Sequence, residues 1–201
     1  MLNADSLRFY NDALYTIGSP QGIPTDLKNH GYGLLISLLW SITGVTIVSP
    51  IVVNMFSMLL SIILCGGIAW RMLRGETGKS GRWIASCAMV MSASVCYFLN
   101  SGTLLLKEAL LILAFSLIGF AMTSLVKYSP RRSANIKMMI MFAIGVIIIA
   151  FLRYNYLFMP IVGAVILVKW QRRHLSMGAI LMSICAIGWI VSILFYSTAL
   201  V

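Results

Sequence analysis

Asp5, Phe9 and Asp12 follow one another at spacings of four and three residues, which sets them on one side of a helix. A carboxylate held beside an aromatic ring at a membrane surface is partly desolvated. Its pKa rises, and it can take a proton from a hydroxyl as a general base. On local sequence alone the plainer reading of Asp5 is a solvated helix whose acidic first turn suits the helix dipole. Lys107 and Glu108 open the run LLLKEALLILAF. A charged pair at the edge of hydrocarbon is a candidate functional site; equally, Glu108 suits a helix N-terminus and Lys107 can snorkel to the headgroups. Arg153 stands between Leu152 and Tyr154 in a short turn that ends at Tyr156. Guanidinium is the preferred side-chain partner for phosphate or pyrophosphate, and flanking tyrosines suit a lipid-headgroup site. The bland alternatives are an interface anchor or a partner for Glu108 across the bundle.

Other motifs carry less. Gly75-Glu76-Thr77-Gly78-Lys79-Ser80 looks like the end of a phosphate-binding loop, but Leu73 stands where the pattern needs glycine and no strand precedes it. His30 and His174 are isolated, with no metal-ligand spacing. Cys65, Cys87, Cys96 and Cys185 fall inside apolar runs without a CxxC pair, which reads as apolar filling. Gly66, Gly67, Gly119, Gly145, Gly163 and Gly188 are spaced to let helices approach closely.

These residues must be positioned by membrane helices. Sixty per cent of the 201 residues are hydrophobic and only 10% charged, where a soluble domain carries about a quarter charged. Apolar runs cover 33–48, 51–70, 83–99, 104–126, 138–152, 157–168 and 176–195. A span takes roughly 20 apolar residues, so the shorter runs call for tilting or local thinning. The expected fold is all-α: a polytopic transmembrane bundle of six or seven helices, with residues 1–32 as a polar N-terminal segment and 33–201 as the helical domain. The N-terminal residues contain no basic stretch followed by an apolar one, so a signal peptide is not expected.

Charge sets the orientation. Residues 71–82, 127–137 and 169–173 carry net +3, +4 and +3, which accounts for the formal +10 of the whole chain. Short loops rich in Lys and Arg stay cytoplasmic, so the loops at 71–82, 127–137 and 169–174 face inward. Asn100 to Glu108 and Arg153 to Tyr156 then lie at the extracytoplasmic face, which makes an arginine at 153 unusual and tips it toward function. Distributing basic charge over loop ends also argues against nucleic-acid binding. The first 50 residues are ambiguous: if 33–48 spans, the N-terminus is cytoplasmic; if it lies in the interface, residues 1–32 are extracytoplasmic.

The order of these features resembles the N-terminal part of the membrane-embedded GT-C glycosyltransferases, the group of protein mannosyltransferases and bacterial aminoarabinose transferases. There an Asp motif in the first extracytoplasmic loop is followed by Tyr and Ala; here stand Asp5, Tyr10 and Ala13. A short helix beginning Gly-Tyr comes next, and residues 31–44 read GYGLLISLLWSITG. A span with a small-residue, Asn-containing start follows, matched by SPIVVNMFSMLL at 49–60. Lys107-Glu108 falls where relatives carry an acidic residue near the outer end of a span. The resemblance covers about residues 3–160. Ser6 replaces the second acidic residue of the motif, and relatives carry a span before it and more after, so a truncated or inactive relative is among the readings.

The resemblance implies residues 1–30 outside, 33–48 interfacial, and sugar transfer with inversion from a polyprenyl-phosphate donor in the plasma (inner) membrane. Asp5 would be the base, Arg153 or Lys107 would hold the donor phosphate, and Glu108, Tyr154 and Tyr10 would complete the substrate site. No cofactor is implied, and a divalent metal stays open. Two other classes compete: a polysaccharide polymerase or ligase that uses Arg153 and Lys107 without an Asp base, and a non-enzymatic subunit with membrane-protein partners. The apolar middles of the spans argue against a transporter, whose sites sit near the midplane.

Overall fold

The computed structural model describes residues 4–18, 30–73, 80–99, 107–127, 132–170, 183–188 and 190. Every regular element among them is helical: α1 (Ala4–Gly18), α2 (His30–Thr43), α3 (Val48–Leu73), α4 (Ser80–Leu99), α5 (Glu108–Lys127), α6 (Arg132–Arg153), a 3₁₀ turn (Tyr154–Leu157) and α7 (Phe158–Trp170). Three helices are long and apolar enough to cross a membrane: Val48–Met72, Glu108–Leu125 and Ile136–Arg153.

Several helices outrun their apolar stretches. α3 has 26 residues and α6 has 22, because the flanking polar and basic residues continue the helix into the loops. Pro50 falls in the first turn of α3, where its missing N–H costs nothing. The Thr46 hydroxyl accepts from the Val48 N–H at 3.2 Å and caps that start. α2 ends earlier than the apolar run 33–48 suggests. Gly44 adopts φ +78°, its N–H donates to the Trp40 carbonyl at 2.8 Å, and the chain turns out of the helix as glycine allows at such a position.

α5 is the centre, packed between α3 and α6 with α7 on a further side, while α4 lies outside α3. Ala109, Ala114 and Ala121 on α5 are completely buried. The glycines serve the close contacts expected of them: Gly67 meets the Phe120 ring, Gly119 meets Ile68, Gly145 meets the Ala114 carbonyl and Ile118, Gly163 meets Met122, and Gly188 meets Val146. Away from these contacts α3 exposes Val52, Met55, Phe56, Leu59, Leu60 and Ile63, and α6 exposes Ile136, Ile140, Ile144 and Ile147. These outward apolar stripes suit lipid as solvent.

The span interiors are less uniform than their hydropathy suggests. Asn54, Ser57, Ser61 and Cys65 run down one side of α3, and Ser116 of α5 faces Cys65, with 3.8 Å between sulfur and hydroxyl oxygen. Ser57 and Ser61 donate to carbonyls one turn back, at 2.8 and 2.7 Å, so the hydroxyls are satisfied within the helix and the small side chains let α3 and α5 close up. Mid-span polar groups are therefore present, buried in the α3–α5 seam. At the basic-loop end, the Arg71 guanidinium lies 3.7 Å above the Phe120 ring and donates to the Ser124 hydroxyl.

Candidate functional site

At the other end of the bundle, α1 and α2 pack across the start of α5 and the end of α6. α1 buries Phe9 and Ala13, and Gly33 of α2 approaches Asp12, whose Cβ would stand 3.4 Å from a methyl placed on that glycine. Phe9 meets Tyr32 edge-on with ring centroids 4.9 Å apart. Gly31 sits directly on the Phe151 carbonyl of α6, closer than any side chain would permit. This packing places α1 at the same end as Lys107, Glu108 and Arg153.

Lys107 immediately precedes α5, and its carbonyl accepts the Leu111 N–H at 3.1 Å. Its side chain is only 4% exposed, and the ammonium lies 5.5 Å from the Phe9 ring centroid. Of the two readings of Lys107, snorkelling to the headgroups is the one this burial contradicts: Phe9 covers the ammonium and supplies a cation–π face. Glu108, next in sequence, is exposed at the start of α5. Asp12 is half-buried, with its Oδ2 shielded from solvent. Asp5 belongs to α1, but its side chain falls outside the described residues. Phe9 and Ala13 of α1 are core residues, so the helix is packed on one side and Asp12 stands at the edge of that side.

Below this lies a polar pair that the sequence reading did not single out as a site. The Asn54 amide donates to the Tyr32 hydroxyl at 3.2 Å, with both residues buried. Burial pushes the Tyr32 hydroxyl up to about 12; the Asn54 hydrogen bond pulls it back and the Glu108 charge adds to the rise. The signal was available: an asparagine within an apolar run demands a partner, because no water is there to satisfy its amide.

Arg153 is half-buried at the end of α6. Its Nη1 donates to the Tyr156 hydroxyl at 2.9 Å, and Tyr156 in turn lies against Phe115, centroids 6.3 Å apart. No ion pair joins Arg153 to Glu108 among the described residues, so the anchor alternative takes the form of a tyrosine clamp. The Tyr154 side chain is outside the described residues. Tyr10 packs edge-on against Trp40 at 5.2 Å. Two residues of helix turn through about 200°, so Tyr10 points to a different side of α1 from Asp12. The structure thus sets Lys107 and Tyr32 against Phe9, with Glu108 near enough to Tyr32 for its charge to act there and Asp12 beside Gly33, keeps Arg153 at the same end on its own clamp, and assigns Tyr10 to aromatic packing.

Of the remaining motifs, the loop containing Gly75 to Lys79, the side chain of His30, and His174 lie outside the described residues, as does the side chain of Cys96. Cys65, Cys87 and Cys185 are free thiols. No group of three His, Cys, Asp or Glu side chains comes together among the described residues. Chemically, the site offers a covered ammonium, a partly desolvated carboxylate, an exposed carboxylate and a tyrosine hydroxyl held neutral. Comparison with protein-family models, with curated proteins and with solved structures finds no match to this chain.

Proposed function

We propose that this chain is a membrane-embedded transferase acting at the extracytoplasmic face on a lipid-linked, phosphate-bearing sugar donor, as its resemblance to GT-C glycosyltransferases implies. The supporting observation is the seating of α1 on Lys107: an acidic helix is held over a buried ammonium at the span ends farthest from the basic loops. In this reading Lys107 and Arg153 stabilise negative charge on the departing phosphate, and Asp5 takes the acceptor proton, with catalysis by positioning and charge. The protein is a multi-pass inner-membrane protein, in which α4, α7 and the helical segment around 183–190 join the three long spans.

The test is binding of a C55 polyprenyl phosphate to the purified protein in nanodiscs, read by native mass spectrometry. Arg153→Ala is expected to weaken binding at least tenfold while membrane insertion is unchanged; equal binding by the variant refutes the assignment. The polymerase or ligase reading uses the same two cations and needs no carboxylate base. Asp5→Asn separates the two, abolishing turnover in a transferase and leaving a ligase active.

A further inference from the structure

α1 carries three distinct faces. At about 100° per residue, Phe9 and Ala13 form the packed face, Arg8 and Asp12 lie on one flank, Leu7, Leu14 and Ile17 lie on the other, and Asn11 lies between the flanks opposite the packed face. Leu7, Leu14 and Ile17 are all exposed, at 49%, 38% and 43%, an apolar flank left uncovered among the described residues. Tyr10, within that flank between Ile17 and Leu14, is held by Trp40, whose indole N–H donates to the Thr46 carbonyl at 2.6 Å. Tyr156 stands at the same end in the turn between α6 and α7. Tyrosine and tryptophan gather where hydrocarbon meets headgroups, so these rings mark the depth at which α1 lies. The apolar flank also has a counterpart on the next helices, where Leu38, Ile42, Val48 and Val52 are exposed.

We infer that α1 is an interfacial anchor lying in the plane of the extracytoplasmic headgroup layer, with Leu7, Leu14 and Ile17 set into lipid and Asp12 turned toward the bundle. A 15-residue helix of low overall hydrophobicity with charges on one flank has the form of a surface-lying helix, and it is too short and too polar to span. The lipid surface holds α1 from one side and Phe9 holds it from another, so the carboxylate flank keeps a fixed height above Lys107. This inference does not rest on the transferase reading: an anchored α1 is compatible with an enzyme or with a non-enzymatic subunit.

The test uses single cysteines at Leu7→Cys, Arg8→Cys and Leu14→Cys in a chain whose four native cysteines are alanine. The chain is nitroxide-labelled in nanodiscs of phosphatidylethanolamine and phosphatidylglycerol, and collision with oxygen is compared with collision with a water-soluble nickel chelate. The oxygen-to-nickel ratio is expected to be several-fold higher at 7 and 14 than at 8. Equal ratios at the three positions would place the flank in water and overturn the inference. Exclusion of both reagents from position 14 would mean that protein covers it, which overturns it too. If the label at 14 prevents folding, Ile17→Cys reads the same flank.

Discussion

Gly31→Ala is the sharpest probe of how α2 is seated. A methyl on Gly31 would lie 1.8 Å from the Phe151 carbonyl oxygen and 2.8 Å from its carbon, where a carbon–oxygen contact normally needs about 3.3–3.6 Å. The obstacle is backbone and cannot rotate away, so α2 and α6 must part by about 1.5 Å. Overpacking typically costs about 1–3 kcal/mol. The helix-propensity gain from alanine, up to about 1 kcal/mol mid-helix, is small at the second residue of α2. A net loss of about 2–3 kcal/mol in the docking of α1 and α2 follows, or roughly a 30- to 150-fold shift in local opening. Gly119→Ala is the control: its methyl meets only the end of the Ile68 side chain, at 3.2 Å, and the propensity gain offsets that contact. Amide hydrogen exchange in nanodiscs reads both. In Gly31→Ala, protection of α1 and α2 is expected to fall while α5 keeps its own, and the purified variant should lose polyprenyl-phosphate binding with it. Parental protection of α2 in Gly31→Ala would refute the close α2–α6 approach.

Three further outcomes are expected. Because the Tyr32 hydroxyl is raised to about 12, folding favours its protonated form; that contribution is complete below the free tyrosine value of about 10 and is lost as pH rises from 10 to 12. Tyrosinate absorbance should show one late-titrating tyrosine that Tyr32→Phe removes, and an unchanged late phase would refute it. Arg71→Ala removes both the Phe120 stacking and the Ser124 hydrogen bond, and should lower thermal stability by about 1–2 kcal/mol, with Arg71→Lys recovering only part because ammonium lacks the planar stacking surface. For orientation, Asn100→Cys should react with an impermeant thiol reagent in intact cells and Ser133→Cys should not; the reverse pattern would invert the topology.

The helices and their order were legible from hydropathy and from the three basic stretches, and α1 from its polar, turn-bounded sequence. Their boundaries were less so, because helix formation depends on backbone hydrogen bonding and already starts at Ser80 and Arg132, before the apolar runs at 83 and 138 begin. That α5 is the hub was not legible. A helix apolar on every side gives no periodic signal, and burial against protein then looks the same as burial against lipid. The glycine contacts were readable because glycine in a span has few other uses. The Tyr32–Asn54 pair escaped because its two members are 22 residues apart and pair only once α2 folds back against α3.

Lys107 shows where local reading stops. A lysine stem at the edge of hydrocarbon ordinarily carries its ammonium out to water, and that reading treats α1 as dispensable to it. With 4% exposure and Phe9 above it, the ammonium has instead exchanged hydration for contacts that α1 helps to provide. Such an exchange is tolerable only while those contacts persist, since an ammonium buried without them is costly. The position of α1 and the hydration of Lys107 are therefore coupled: anything that lifts the helix rehydrates the ammonium, and an anion arriving at the ammonium must displace Phe9 or share its space. A site built in this way can report on the helix above it, which is why the depth of α1 in the headgroup layer bears on the chemistry beneath.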